Sequence, residues 1–206
     1  MIVINKGNLK VLLTPSIFEV NFTKMCFQLS CNYTLDYVAK ATGTIPVPHI
    51  AWQPCEHSLV GAALPVITNE YPKVLQVYQW GLVPSWASHP TMRNMYNTKV
   101  TNMATKPSLQ AIACYRRCAI PVSGFAVKHA TRGTAKAYYA THNKPLLLAG
   151  IWELYGEGLL TFSVLTQATD NHELLHMPII LSTRTQSFWL QKQPITVKEL
   201  LHFTAG

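Results

Sequence analysis

The sequence predicts one α+β domain in which β-strands outnumber helices. Its 206 residues suit a single domain, since domains average about 100–200 residues. Hydrophobic residues make up 49% of the chain and charged residues only 13%, which is enough to build a core and excludes a disordered protein. Between residues 74 and 166, β-like apolar runs alternate with Gly, Asn or Pro.

The first third of the chain contains few regular elements. Residues 1–24 are predicted to be an N-terminal extension, either a pro-segment or a mis-assigned start, because their apolar patches have no clear period. A short helix is predicted over residues 34–40, with Thr34 as its N-cap and Gly43 as its end. Prolines and glycines then predict a mostly irregular segment over residues 45–65.

Strands dominate the middle of the chain, and helices follow at its end. Strand-like runs are predicted over residues 74–79, 112–122, 125–130, 135–141, 146–154 and 159–166, with Gly133 in a hairpin turn. Helices are predicted over residues 185–191 and 196–203, and Thr196 and Glu199 have the spacing of a capping box. The domain itself is predicted to extend over residues 25–206.

The composition excludes several classes of protein. No apolar run approaches the roughly 18 residues of a membrane span, and the first residues lack the order of charged and apolar groups in a secretory signal. Five cysteines, an odd number, favour reduced thiols over a disulfide framework, and neither Cys26–Cys31 nor Cys114–Cys118 has zinc-site spacing. We therefore predict an intracellular protein (nuclear in a eukaryote, in the cytoplasm or nucleoid of a bacterium) without metal, cofactor or membrane partner.

A long segment without acidic residues indicates an anionic partner. The chain carries a formal net charge of +8, and no Asp or Glu lies between Glu70 and Glu153. The 82 residues between them include ten basic side chains: Lys73, Arg93, Lys99, Lys106, Arg116, Arg117, Lys128, Arg132, Lys136 and Lys144. Lys and Arg neutralise phosphates and aromatic rings stack on bases, so a basic segment with interleaved aromatic residues is typical of nucleic-acid binding.

Within this segment, the loop between Trp80 and Trp86 is a candidate platform for unpaired bases, since Gly and Pro hold two indoles apart. The alternative is that both tryptophans pack in the core. Asn97 and Lys99 would lie on the same side of an extended segment after this loop.

Two further groups have a functional and a structural interpretation. Arg116 and Arg117 precede the apolar residues 118–122 of the predicted strand and would bind phosphate or form solvated surface. His176 would act as an acid-base group or as a structural hydrogen-bonding residue.

Cys26 follows Met25 directly, so it is a candidate N-terminal cysteine that reacts with aldehydes. If translation began at Met25, or if residues 1–25 were removed, Cys26 would carry a thiol and a primary α-amine. An α-amine has a pKa of about 7.7–8.0, so much of it is free base near neutral pH. This pair of groups condenses with an aldehyde to an imine and then closes to a thiazolidine ring.

The ordered series of motifs resembles the SRAP family, the SOS-response-associated peptidase domain whose members shield abasic sites in single-stranded DNA. The resemblance extends over residues 25–190 and rests on Met25-Cys26 and on the segments 80–86, 97–100, 116–121, 123–125, 149–153, 161–166, 177–181 and 189–190. It implies a mixed, barrel-like sheet with a few short helices. The residues predicted to contact DNA are Trp80, Trp86, Lys99, Arg116, Arg117 and Thr166.

The resemblance also implies catalytic roles. Cys26 matches the N-terminal cysteine that captures the ring-opened sugar, and Asn97 matches an asparagine that orients the amine and the sugar. Lys99 stands where the family has a phosphate-binding arginine, and Trp86 matches a tryptophan that packs against the DNA at the lesion. His176 is the predicted acid-base partner if two residues are deleted before Met-Pro.

Several positions depart from the family pattern. Phe27 and Gln28 replace a glycine and a phosphate-binding arginine, and Ala126 and Val127 replace an aromatic residue and the catalytic glutamate. The C-terminal asparagine-rich segment is missing, so the domain is predicted to be shortened. Because valine transfers no proton, general acid-base catalysis is expected to be weakened.

The leading prediction is an abasic-site processing protein of the DNA damage response. It is predicted to be a monomer that binds single-stranded DNA and, once Cys26 is N-terminal, forms a covalent thiazolidine cross-link. The first alternative is an impaired pseudoenzyme that only binds single-stranded DNA. The second is a general thiol peptidase that uses Cys26 and His176.

Overall fold

The computed structural model describes residues 10–14, 26–90, 95–128, 136–141, 144–169 and 176–205. The strands are β1 (Lys10–Thr14), β2 (Cys26–Cys31), β3 (Ile45–Pro46), β4 (Cys55–Ser58), β5 (Ala63–Thr68), β6 (Val74–Trp80), β7 (Asn97–Lys99), β8 (Arg117–Val122), β9 (Gly124–Lys128), β10 (Lys136–Ala140), β11 (Leu146–Tyr155), β12 (Leu159–Ala168) and β13 (His176–Pro178). The helices are α1 (Leu35–Thr42), α2 (Val100–Thr105), α3 (Pro107–Tyr115), α4 (Thr183–Trp189) and α5 (Val197–Ala205).

Five of these strands close into a barrel. β6 pairs antiparallel with β5, β5 with β8, β8 with β11, and β11 with β12. β12 returns to β6 through a parallel pairing in which Phe162 lies opposite Trp80. The side chains of both aromatic residues are fully buried. The prediction of a strand-rich α+β fold with a mixed, barrel-like sheet and short helices is confirmed.

A second sheet carries the strand that begins at Cys26. Its order is β1-β10-β9-β2-β4, and all of its pairings are antiparallel. β2 is therefore an interior strand, with β9 on one side and β4 on the other. β2 also packs against β8 and β13 of the barrel sheet, so the two sheets meet at this strand. β1 lies within the predicted N-terminal extension and pairs with β10.

The predicted helix caps are present. The Thr34 side chain accepts a hydrogen bond from the Tyr37 backbone N–H, and Gly43 ends α1 in the left-handed conformation. Before α5, the Thr196 side chain accepts from the Glu199 N–H, while the Glu199 carboxylate accepts from the Thr196 N–H at 2.7 Å. Such reciprocal bonds satisfy backbone donors that a helix leaves unpaired. No helix among the described residues is long and apolar enough to cross a membrane.

The strand predicted over residues 112–122 was wrong over its first five residues. Residues 112–115 belong to α3, and β8 begins only at Arg117. Pro107 lies in the first turn of α3, where its missing N–H costs nothing, and the apolar residues that follow bury one helix face. Cys114 is therefore a helical residue. The predicted hairpin turn at Gly133 lies outside the described residues.

Gly150 of β11 lies where the barrel leaves no room for a side chain. A Cβ at this position would lie 2.5 Å from Ile120 Cδ1 and 2.8 Å from the Ser163 carbonyl oxygen. The substitution Gly150→Ala is expected to lower the free energy of unfolding by about 1–3 kcal/mol, because the backbone oxygen cannot move aside without disturbing the sheet. A denaturant titration measures this effect. Gly158→Ala is the control, since nothing lies within 4 Å of its added Cβ.

Candidate functional site

The C-terminal half of β12 brings four of the predicted site residues together. β7, which carries Asn97 and Lys99, pairs in parallel with one edge of β12. β13, which carries His176, pairs antiparallel with the opposite edge. Thr166 of β12 lies directly opposite Lys99. Residues far apart in sequence therefore share one small region of the sheet.

Hydrogen bonds fix β7 in this position. The hydroxyl groups of Thr98 and Ser163 lie 2.8 Å apart in the interior, and the Val164 N–H donates to the Tyr96 carbonyl at 3.0 Å. Since β7 is extended, Asn97 and Lys99 share the face opposite to Thr98, as predicted. Asn97 is buried, whereas Lys99 is half-buried.

The surroundings of His176 favour its neutral form. Burial lowers the pKa of its imidazole, and the positive charge of Lys99 lowers it further, against an opposing hydrogen bond to the backbone of Gln167. Neutral imidazole accepts a proton, so His176 is suited to act as a base near neutral pH. On β12, where Thr166 pairs with Pro178 of β13, the Thr166 hydroxyl is buried and makes no hydrogen bond to the described residues.

The backbone of Cys26 lies opposite position 127. In the antiparallel pairing of β2 with β9, the Cα partner of Cys26 is Val127. The Val127 side chain belongs to the hydrophobic core and is 1% exposed. β2 also contacts β13 of the barrel sheet, which carries His176. The strand of Cys26 thus adjoins both the residue at position 127 and the strand of the candidate base.

The two tryptophans of the Trp80–Trp86 loop have different environments. Trp80 is fully buried and its indole N–H donates to the Tyr96 carbonyl at 2.8 Å, so it does not form half of an exposed platform. Trp86 is 57% exposed at the end of the loop. The loop is anchored by Gly81, which adopts φ +123°, and by the Val83 N–H, which donates to Thr161 Oγ1. Only Trp86 presents a face to solvent.

Arg116 lies at the surface but is already engaged. Its guanidinium forms an ion pair with Glu153, and the same group lies 5.6 Å from the centre of the Trp152 ring. The Glu153 side chain is buried, so its charge requires this partner. Arg116 remains 41% exposed and can offer part of its charge to a ligand.

Arg117 is a structural residue, which corrects the prediction that it contacts DNA. Its side chain is fully buried beneath α4 and lies 6.0 Å from the centre of the Trp189 ring. Burial lowers the pKa of this guanidinium to about 10, so it stays charged at neutral pH. Its five hydrogen bonds go to the carbonyls of Ala113, Cys114, Trp189, Gln191 and Gln193. No N–H group remains for a phosphate to reach.

We expect Arg117→Leu to lower the free energy of unfolding by about 3 kcal/mol, since it leaves buried carbonyl groups without donors. The Arg117 hydrogen bonds also join the end of α3 to the segment after α4. In the variant, the backbone amides of both segments should therefore exchange their hydrogens faster with solvent. Thermal or urea unfolding measures the change. Arg184→Leu in α4 is the matched control, because Arg184 is exposed; its effect should stay within about 0.5 kcal/mol. An equal effect of both variants would contradict the structural role.

Residues that the sequence did not single out also position the site. Thr161 and Ser163 place polar side chains inside the apolar strand β12, and they anchor the tryptophan loop and β7 respectively. Buried polar residues need hydrogen-bond partners, so polar residues within an apolar run indicate positions that anchor a neighbouring segment. Among the described residues, no three His, Cys, Asp or Glu side chains lie close enough together to hold a metal ion.

The chain is similar to known proteins in sequence and in fold. Residues 25–205 match the SOS response associated peptidase (SRAP) family. Over 136 residues the chain is 27% identical to an abasic site processing protein of Saccharomyces cerevisiae, covering 60% of this chain and 37% of that protein. The chain therefore spans well under half of the length of this relative.

Solved structures share the fold. A protein from Bacteroides thetaiotaomicron matches with a TM-score of 0.73 at 25% identity, over 87% of this chain and 86% of that one. A protein from Bordetella bronchiseptica gives a TM-score of 0.68 at 16% identity, over 87% and 93% of the two chains. A phage-related protein from the same organism gives 0.63 at 16% identity, over 88% and 89%.

Proposed function

The chain belongs to the SRAP family, since the family match extends over residues 25–205, and on that basis we propose that it processes abasic sites in single-stranded DNA. The family and the yeast relative support a role in DNA damage. One observation supports covalent capture by Cys26. The strands that carry Asn97, Lys99 and His176 pair with β12, which carries Thr166, and β13 contacts the strand that begins at Cys26.

The covalent step requires a free amine on Cys26. Hydrolysis of the Met25–Cys26 peptide bond supplies this amine, with water adding to the Met25 carbonyl. The amine then attacks the aldehyde carbon of the ring-opened sugar, and loss of one water gives an imine. The Cys26 thiol adds to the imine carbon, and its proton passes to the nitrogen, which closes the thiazolidine.

The residues at β12 assist this chemistry. The neutral imidazole of His176 accepts a proton from the attacking amine. The Asn97 amide orients the amine and the sugar, while the ammonium of Lys99 binds a phosphate beside the lesion. A lysine contacts phosphate as a point charge without the two-pronged geometry of arginine, so this contact is less directional.

Trp86 provides the stacking surface for a base next to the lesion. Trp86→Ala is expected to weaken binding to single-stranded DNA by about 1–3 kcal/mol, or about 5- to 150-fold in Kd. Fluorescence anisotropy with a labelled oligonucleotide at fixed salt concentration measures the change. Tyr71→Ala is the matched control, because Tyr71 is 51% exposed but lies before β6, at the end opposite to the tryptophan loop. A similar loss in both variants would contradict a specific platform at Trp86.

A denaturing gel tests the proposed function. The chain cleaved before Cys26 and the full chain are each incubated with single-stranded DNA that contains one abasic site. We expect a band that resists denaturation with the cleaved chain and no such band with the full chain, whose Cys26 nitrogen is an amide. DNA without an abasic site is the control. Absence of the band with the cleaved chain, while it binds the DNA, would reject covalent capture.

One observation favours a second candidate, a protein that binds single-stranded DNA without covalent capture. Position 127, which the family resemblance assigns to a catalytic glutamate, holds a valine packed in the core. This candidate expects Trp86→Ala to weaken binding but expects no cross-link from the cleaved chain. The gel therefore separates the two candidates.

A further inference from the structure

Two cysteines are paired across neighbouring strands of the second sheet. Cys31 ends β2, and its Cα partner in the edge strand β4 is Cys55. The register of β2 and β4 shifts between Leu29 and Cys31, and Cys31 and Cys55 are paired beyond this shift. Paired residues of antiparallel strands lie about 4.5–5.5 Å apart at their Cα atoms, within the range of about 4.4–6.8 Å that a disulfide spans. Both thiols are free in this structure.

The two thiols differ strongly in reactivity. Cys55 is exposed on the edge strand, whereas Cys31 is fully buried. Burial raises the pKa of the Cys31 thiol to about 12, and the neighbouring Cys55 contributes to the rise, against a hydrogen bond to the Tyr33 backbone. Because the thiolate is the nucleophile, Cys55 reacts first with a disulfide in solution, and Cys31 reacts only with a partner beside it.

We infer that Cys31 and Cys55 form a thiol–disulfide exchange site for small disulfides of the glutathione type. The Cys55 thiolate attacks the small disulfide, which forms a mixed disulfide on Cys55 and releases one thiolate. Cys31 then gives its proton to water and attacks the Cys55 sulfur, and a second thiolate leaves. The small disulfide is reduced to two thiols, and the protein gains one Cys31–Cys55 bond.

The other described cysteines are poorly placed to compete. Cys118 is fully buried within the barrel, and burial raises its pKa well above the usual value. Cys114 lies in α3, and burial raises its pKa as well. Neither is paired across strands with Cys55. The bond would fasten the edge strand β4 to β2 at the end opposite to Cys26, which makes the site chemically separate from abasic-site capture.

Oxidised glutathione and peptide mass mapping test this inference on the full chain. We expect the peptides containing Cys31 and Cys55 to become linked, and a reductant to separate them. With Cys31→Ser, the reaction should stop at glutathione on Cys55. With Cys55→Ser, Cys31 should remain unmodified. In the reduced chain, a maleimide should label Cys55 at least about 10-fold faster than Cys31.

Cys114→Ala is the control and should retain the link. Glutathione on Cys55 with Cys31 still free after prolonged incubation would overturn the inference. So would a bond from Cys55 to any other cysteine, including Cys26. None of these measurements contains DNA, so their failure leaves the proposed abasic-site function to be judged by the gel.

Discussion

Replacing Cys26 with alanine in the chain cleaved before Cys26 is expected to abolish the cross-link to abasic DNA completely. An N-terminal alanine retains the amine and can still form an imine, but it has no thiol to close the ring. Imines hydrolyse, so the band that resists denaturation should fall to background. The measurement is the gel described above, with Cys26→Ala and unmodified chains compared at equal DNA occupancy.

Cys31→Ser supplies the matched control for this loss. Cys31 lies on the same strand, but it is buried at the other end of β2, so the variant should keep its cross-link. Binding to intact single-stranded DNA should be unchanged in Cys26→Ala, because phosphate and base contacts do not require the thiol. A full-strength cross-link from Cys26→Ala would show that another residue captures the sugar.

Val127→Glu is expected to accelerate cross-linking by the cleaved chain by about 10²–10⁴-fold, the usual contribution of a general acid-base group. Position 127 is the Cα partner of Cys26, so a carboxyl group there lies beside the reacting residue. The apolar surroundings of Val127 should raise the pKa of a carboxyl group, which suits a group that both donates and accepts protons. Single-turnover kinetics with excess protein measures the rate.

Val127→Gln is the control for this gain. Glutamine has nearly the same shape and forms hydrogen bonds, but it does not titrate, so its rate should stay near that of the unmodified chain. Circular dichroism establishes that both variants are folded. Equal rates for the folded glutamate and glutamine variants would contradict a proton-transfer role for position 127.

The sequence predicted the elements that local chemistry determines. Thr34 and Gly43 delimit α1 because a side-chain acceptor and a left-handed residue act within one helical turn. The apolar run over residues 112–115 has no distinguishing period, so its sequence predicts a strand, whereas the structure has a helix that begins at Pro107. The closure of β12 onto β6 depends on contacts between distant residues, which no local pattern reports.

The sequence predicts which residues belong to the candidate site, but it does not predict which of them are buried or exposed. The motifs identified Asn97, Lys99 and His176, and the fold brings their strands together at β12. Arg116 and Arg117 are adjacent and identical in sequence, yet one is at the surface and the other supports α4 from beneath. Only the pairing of β8 within the barrel determines which of the two faces the interior.

The chemical nature of the adduct tests the proposed function most directly. The chain cleaved before Cys26 is reacted with an abasic oligonucleotide, digested with protease and nuclease, and sequenced by mass spectrometry. Capture through a thiazolidine predicts that the sugar remnant resides on the peptide that begins at Cys26, with the mass of both partners less one water. A sugar attached to a lysine, or no adduct from a folded chain that binds the DNA, would contradict the proposal.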